Sequence, residues 1–403
     1  MNTFGRKFRV TVFGESHGEA VGVVLDGVPA GLELSEADFD RDIARRKSGA
    51  KGTTARTEAD EPRILSGVFE GHTTGAPIAI IFHNMNTRPR DYSQFAAMPR
   101  PGHADQAAAV RWDDCNDPRG GGHFSGRLTL PVVAAGVVAK KILADTTILD
   151  ETPVPENGIR AQIVELGGIP ACHAERSETS VGEEILRSAQ DDRTEVQDDI
   201  VQIPDLVGND GSGNDGSGND GSGDDGSGDD GSGGDGACMP KEWQEAIERA
   251  MEEGDSLGAV IDCVVPRIEP GYGEPFWDSV ESQLAHAIFA IPGVRGIEFG
   301  DGFKAAAMRG SEHNDPIGED GRPTKNGAGG VNGGLTNGAP LKFRVAFKPT
   351  SSIAKSQQTF NFATGQMDTL EVKGRHDACF ALRCPVIVEA MTAIALADLA
   401  LLR

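Results

Sequence analysis

From Gly208 the chain repeats a five-residue unit, GNDGS three times and then GDDGS twice. A segment without apolar side chains and with many like charges has nothing to offset the entropy of ordering. It reads as an acidic, Gly/Ser-rich linker. The polar stretch before it, CHAERSETSVGEEILRSAQDDRTEVQDD, matches neither flank. Residues 172–236 are therefore expected to form one disordered insertion on a surface loop, where added length costs little entropy. Calcium binding is the functional rival. Calcium β-helix repeats run at nine residues with an apolar position, and an EF-hand needs Glu at its twelfth position. Neither pattern is present. Any fold must come from the two flanks, which together read as one domain over residues 1–403.

The insertion also distorts the composition. The 403-residue chain has a formal net charge of −24, 53 glycines and 38% hydrophobic residues. Residues 172–236 hold 18 Asp or Glu against three Arg, or −15 of that charge, and leave −9 on the remainder. An acidic chain of this kind argues against non-specific binding to a phosphate backbone. The strongest apolar run, Leu130–Ala139, is shorter than the ~20 residues of a membrane span. The beginning, MNTFGRKFRVTVFG, has neither a long apolar region nor a small-residue cleavage site, so no secretion signal is read there. The six cysteines contain no CxxC pair and read as reduced thiols, which places the protein in the cytoplasm by expectation.

Strands are expected at Lys7–Phe13, Ala20–Leu25, Pro77–Phe82, Ala259–Val265 and Leu341–Phe347, from β-branched content and bounding turns. A helix should start after Ser35, with Asp38 completing a near capping box and Leu34 stapled to Phe39. It should end at Arg45-Arg46-Lys47, where cations suit the C-terminus. Pro240–Glu253 is a second helix, with Pro in its first turn and Gly254 as its stop. Ser279–Ala290 and Pro385–Leu402 read as further amphipathic helices. Strands and helices do not alternate regularly, so the class is α+β.

Two motif matches fail on context. Gly14-Glu15-Ser16-His17-Gly18 fits the G-x-S-x-G nucleophile elbow, which needs a helix after it; the following EAVGVVLDGVPAG is strand-like. Gly211–Gly216 fits G-x-G-x-x-G but lies inside the repeat, with no strand before it and no helix after it.

The informative pattern is a series of small glycine-rich blocks, each carrying His, Arg or Lys. They are Gly14–Gly18, Arg100–Asp105 (RPGHAD), Arg119–Arg127 (RGGGHFSGR), Ala307–Ser311, Lys325–Gly334, Lys348–Ser352 (KPTSS) and Gly374–Asp377 (GRHD). Glycines let backbone N–H groups approach an anion, while Arg and Lys supply charge. Singly, each block reads as an ordinary loop. Together, in an acidic chain, they point to an enzyme acting on a small, anionic, phosphorylated metabolite.

In order along the chain, the blocks resemble the chorismate synthase family. FRVTVFGESHGEAVGVVLDGVPAG (8–31) is similar to that family's first signature. RILSGVFEGHTTGAPIAI (63–80), RPGHADQ (100–106), GGGHFSGRLTLPVVAAGVVAKK (120–141) and GRHDACFALRCPVIVEA (374–390) match later ones. The resemblance implies a β-α-β sandwich, a homotetramer, and a lyase that removes phosphate and a ring hydrogen from 5-enolpyruvylshikimate-3-phosphate by anti-1,4 elimination. Reduced FMN would be required without net redox change, and no metal is implied.

Roles follow from the same resemblance. His17 matches the histidine placed near the leaving phosphate, His103 the one that protonates the reduced flavin, and Asp377 the aspartate that helps remove the ring proton. His123, Phe124, Ser125, Pro292, Gly293, Gly333, Lys348, Pro349, Thr350, Ser351, Ser352 and Arg375 fall where the family contacts FMN. Arg45, Arg46, Arg119 and Arg127 would grip anions. Ser16 becomes a turn residue in a phosphate-binding loop. The chain departs from the family in three places. Many members read Arg-Ser-Ser-Ala-Arg-Glu-Thr where this chain has His123–Thr129, Lys51 or Gly52 replaces an expected Arg, and residues 172–236 are added. Two alternatives remain at this point: a flavin oxidoreductase with a nicotinamide (NADP) donor, and a binding protein without activity. Retention of His17, His103 and Asp377 together speaks against the second.

Overall fold

Strands form where the sequence alternates side chains between a buried and a half-buried face. Leu341–Phe347, LKFRVAF, does so without a break, every odd residue being buried. The computed structural model describes residues 2–87, 89–145, 158–171, 239–266, 268–374 and 376–403. The expected insertion at 172–236 and the candidate Arg375 lie outside the described residues.

Two five-stranded antiparallel sheets make the frame. The first contains β1 (Thr3–Phe4), β2 (Arg9–Gly14), β3 (Ala20–Asp26), β4 (Arg63–Ser66) and β5 (Ile78–His83), in the order β1-β2-β3-β5-β4. The second contains β6 (Arg160–Leu166), β7 (Ile169–Pro170), β8 (Ala259–Val265), β9 (Val294–Phe299) and β10 (Leu341–Phe347), in the order β9-β10-β8-β6-β7. β2 and β3 are joined by the Gly14–Gly18 turn as a hairpin. The helix required after a nucleophile elbow is replaced by a strand. β2 starts two residues later than expected because the N–H groups of Arg6, Lys7 and Phe8 donate instead to the buried Asp398 carboxylate, at 2.7–3.0 Å.

The shorter helices follow their start and stop signals. α1 (Asp40–Arg46) continues a 3-10 turn at Glu36–Phe39, where the Ser35 N–H donates to Asp38 Oδ2 at 2.7 Å. α2 spans Asp105–Trp112. α4 (Lys241–Glu252) follows Pro240 and ends before Gly254, whose φ is +66°. It docks on β7 through Trp243, whose indole N–H donates to the Ile169 carbonyl at 2.9 Å. α5 (Val280–Ile288) buries Val280, Leu284, Ala287 and Ile288, one stripe of an amphipathic helix.

Two helices fill the space between the sheets. α3 (Thr129–Ala144) packs on β3 and β5, α6 (Pro385–Leu402) packs on β6 and β8, and the two pack on each other. The expectation of an amphipathic helix at Pro385–Leu402 is corrected here. By length and composition it could span a membrane, but it is buried on nearly every side inside the protein. A helix between two sheets has no solvent face and so needs no polar stripe. The helices approach closely at Gly136, where an added Cβ would stand 2.3 Å from the Ala390 Cβ. The arrangement is an α+β sandwich, sheet on helices on sheet, with one main apolar core and a small separate cluster of Phe95, Leu370 and Val372.

A charged cluster ties α1 to these central helices. Glu389, 3% exposed, takes a two-pronged ion pair from Arg45 at 2.7 and 2.8 Å. Lys140 bridges Asp42 at 2.6 Å and Glu389 at 3.4 Å.

Candidate active site

The loops between these elements surround a cavity of about 860 Å³. Among the described residues, eight Lys or Arg line it against three carboxylates, Glu58, Asp60 and Asp377. A cavity with excess positive charge in an acidic chain is built for an anion.

The β2–β3 turn supplies Ser16 and His17. His17 is buried, with Nδ1 3.3 Å from Ser16 Oγ and its ring edge-on to Tyr92 at 5.1 Å. It stands behind Gly120 of the Gly120-Gly121-Gly122 run, all three at positive φ. Arg56 reaches back to the same turn, donating to Ser16 Oγ at 3.0 Å and to the Ser16 carbonyl at 3.2 Å, while Glu58 Oε1 holds its other edge at 2.7 Å.

The last turn of α1 separates the neighbouring candidates Arg45 and Arg46. Arg46 enters the site and shares Asp60 with Arg127. The Arg46–Asp60 contact is 3.1 Å, and Arg127 makes a short ion pair with the other Asp60 oxygen. Arg127 also donates to Asn84 Oδ1 at 2.9 Å. Burial, with repulsion from Arg383 and Arg127, pulls Arg46 down to about 10 despite Asp60, so it stays charged at neutral pH. Burial opposes ionisation of Asp60, but the two guanidiniums outweigh it and hold the carboxyl below its usual value. Arg45 points away, to Glu389. It anchors the helix and does not line the cavity.

His103 lies on the turn before α2. Its Nδ1 is 2.6 Å from Asp105 Oδ1, and a Cβ on Gly121 would be 3.3 Å from its Nε2. The Lys348–Ser352 segment after β10 lies over this turn. Lys348 Nζ and Ser351 Oγ each donate to the Gly102 carbonyl at 2.7 Å. Burial, with Arg295 nearby, lowers the Lys348 pKa. Ahead of α6, Asp377 accepts from the Thr54 N–H at 2.9 Å and from Arg383 at 2.8 Å.

The cavity thus gathers His103, His123, Phe124, Ser125, Arg46, Arg127, Pro292, Gly293, Lys348, Pro349, Thr350, Ser351, Ser352 and Asp377. Ser125 caps the turn that presents Arg127, accepting from its N–H at 3.3 Å. Phe124 leans on Trp112, ring centroids 5.8 Å apart. Arg119 does not line the cavity: it is held bidentate by Asp117 and its side chain is about half exposed. Gly333 sits at the exposed turn of the Val331–Thr336 hairpin, also outside the lining. Sequence reasoning missed Arg56, Asp60 and Arg383. Among the described residues that line the cavity, the Thr350 hydroxyl and the Nε atoms of Arg46 and Arg383 are buried without a hydrogen-bond partner. Buried donors left in this state ask for an acceptor.

The chorismate synthase family model matches residues 8–401. The chain is 46% identical over 403 residues to the chorismate synthase of Chitinophaga pinensis, covering 100% of this chain and 97% of that one. To that of Korarchaeum cryptofilum it is 42% identical over 399 residues, covering 98% and 96%. A chorismate synthase crystal structure matches with a TM-score of 0.62 over 98% of this chain and 92% of the other; at 24% identity this is a likeness of fold.

Proposed function

This chain belongs to the chorismate synthase family and is a carbon–oxygen lyase, and from that premise we propose that it converts 5-enolpyruvylshikimate-3-phosphate to chorismate with reduced FMN bound. The observation that carries the reading is the excess of cationic side chains around one cavity in a chain of net charge −24. The volume suits two small ligands side by side. The unpartnered donors of Thr350, Arg46 and Arg383 fit the phosphates and carboxylates those ligands bring. The residues present therefore fit the cofactor. Lys348, Thr350, Ser351, Ser352, Ser125, Pro292 and Gly293 would hold it. Bound reduced flavin supplies transient electron density that eases departure of phosphate.

The chain's own groups do the rest. Arg46 and Arg127, fixed by Asp60, stabilise charge developing on the leaving phosphate; in sites of this kind, preorganised charge usually lowers the barrier more than any other single effect. His17 protonates or neutralises that phosphate. His103 holds or gives a proton at Nε2. Asp377, fixed by Thr54 and Arg383, assists removal of the ring proton. The reading extends to a cytoplasmic homotetramer, for which the exposed Phe276 and Trp277, 85% and 88% accessible, offer apolar contact surface.

The test is anaerobic turnover with chemically reduced FMN, beside an oxidised-FMN control. Chorismate should form only with the reduced cofactor, and no nicotinamide should be consumed in step with it. No turnover from folded, FMN-bound protein would favour a binding role. Stoichiometric nicotinamide oxidation would favour an oxidoreductase.

A further inference from the structure

Beside His103 stands a pair of side chains that the mechanism above leaves unused. Arg100 is 5% exposed and clasps Asp105 with two prongs, Nε to Oδ2 at 2.8 Å and Nη2 to Oδ1 at 2.7 Å. The Arg100 backbone N–H donates to Oδ2 as well, at 3.0 Å. The guanidinium cannot swing away. Its Nη1 donates to Ser352 Oγ at 2.9 Å, and the Phe95 ring lies against it, 4.4 Å from centroid to Cζ. The carboxylate is therefore locked before His103 meets it.

We propose that Asp105 is a positioning residue for His103, keeping a proton on Nδ1 so that Nε2 is the ring nitrogen that exchanges a proton during turnover. Two neighbours approach Nδ1: Asp105 Oδ1 at 2.6 Å and Arg100 Nη2 at 3.1 Å. Only one can be its partner, since a guanidinium donates and a carboxylate accepts. The closer contact by 0.5 Å is the carboxylate, and one of the two Nη2 hydrogens of Arg100 is already on that same oxygen. Nδ1–H donating to Oδ1 satisfies the imidazole and the carboxylate; a bare Nδ1 would face a carboxylate oxygen lone pair to lone pair at 2.6 Å. Burial opposes ionisation of Asp105, but Arg100 and His103 overcome it and hold the carboxyl well below the usual range, so the acceptor stays an acceptor. Lys348, from the segment packed over this turn, is engaged by the Gly102 carbonyl. Gly121, having no side chain, leaves room at Nε2.

The inference rests on the proposed role of His103, and its test separates the two. In the full chain with 15N-labelled histidine, ring nitrogens are read without substrate or cofactor, the His103 signals being assigned by their loss in His103→Asn. The neutral ring should carry its proton on Nδ1. In Asp105→Asn, whose carboxamide can turn an N–H toward the ring, that preference should be lost. Turnover with reduced FMN should then fall about a hundredfold or more, as expected when a histidine is held in the wrong tautomer, with KM within about threefold. Asp105→Glu should restore part of it. A wild-type ring unprotonated at Nδ1, or an Asp105→Asn protein with unchanged spectra and turnover, would overturn the assignment. If Asp105→Asn does not fold, the wild-type spectra decide alone. Full turnover in His103→Asn would instead overturn the role of His103 and leave the Nδ1–H assignment standing.

Discussion

At Gly120 the chain has φ +63°, and a Cβ there would lie 2.0 Å from His17 Nδ1. Gly120→Ala should therefore displace the imidazole and strain the backbone. We expect a loss of about 1–3 kcal/mol in stability and a larger proportional loss of turnover, read by urea unfolding beside the chorismate assay. Asp60 is the counter-charge of two buried guanidiniums, and Asp60→Asn should cost about 3–5 kcal/mol. The pH dependence follows from the sign of its shift. A carboxyl lowered below its ordinary 3.8 stabilises the fold fully above that value, and the benefit is lost as pH falls toward the lowered one. Asp42 and Asp105 act the same way; Asp262, raised mainly by burial, opposes them. Acid unfolding of Asp60→Asn should thus lack part of the wild-type slope below pH 4. Of the cavity residues, His103 and Asp377 were legible as local blocks; His17 was singled out with them but lies buried behind Gly120, outside the cavity lining. Arg56, Asp60 and Arg383 were not, because their significance comes from partners 14 to 67 residues away or from a cavity that exists only after folding. Arg45 and Arg46 looked equivalent in sequence, but adjacent helical residues face different ways.

Among the elements, the central strands were legible from β-branched content and bounding turns, with LKFRVAF also alternating, whereas Arg63–Ser66, Arg160–Leu166 and Val294–Phe299 were not expected. α3 was visible only as an apolar run. Its neighbours on all sides are protein, so no period of 3.6 was written into it, and for the same reason an amphipathic reading of α6 fails. Their contact gives a sharp prediction. Gly136→Ala should destabilise by about 1–3 kcal/mol through overpacking, and Ala390→Gly in the same chain should recover part of that, as a double-mutant cycle would reveal. Glu389→Ala tests the charged cluster. Arg45 and Lys140 would be left partly buried without that carboxylate, and a loss approaching the 3–5 kcal/mol of a broken buried pair is expected in thermal or urea unfolding. Because Arg45 is anchored there, Arg46 should move with it, so turnover is expected to fall as well.

On the scale of the molecule, residues 172–236 carry most of the net charge and none of the candidate chemistry. Replacing them with a short Gly/Ser loop should leave turnover within about twofold, since loop length costs little; activity lost with folding intact would reverse that view. One element late in the sequence holds the frame shut: α6 fills the middle of the sandwich, and its Asp398 collects the N–H groups of residues 6–8. The consequence concerns biosynthesis. The first sheet and α3 are translated early, but the side of α3 that packs on α6, and the face of the second sheet that α6 covers, stay bare until residues 385–402 leave the ribosome. Throughout that interval the nascent chain displays a strand surface and the flank of α3 that nothing yet shields. Such a chain is a natural client for a holding chaperone, and its yield in a cell should respond to chaperone supply more than its stability once released would suggest.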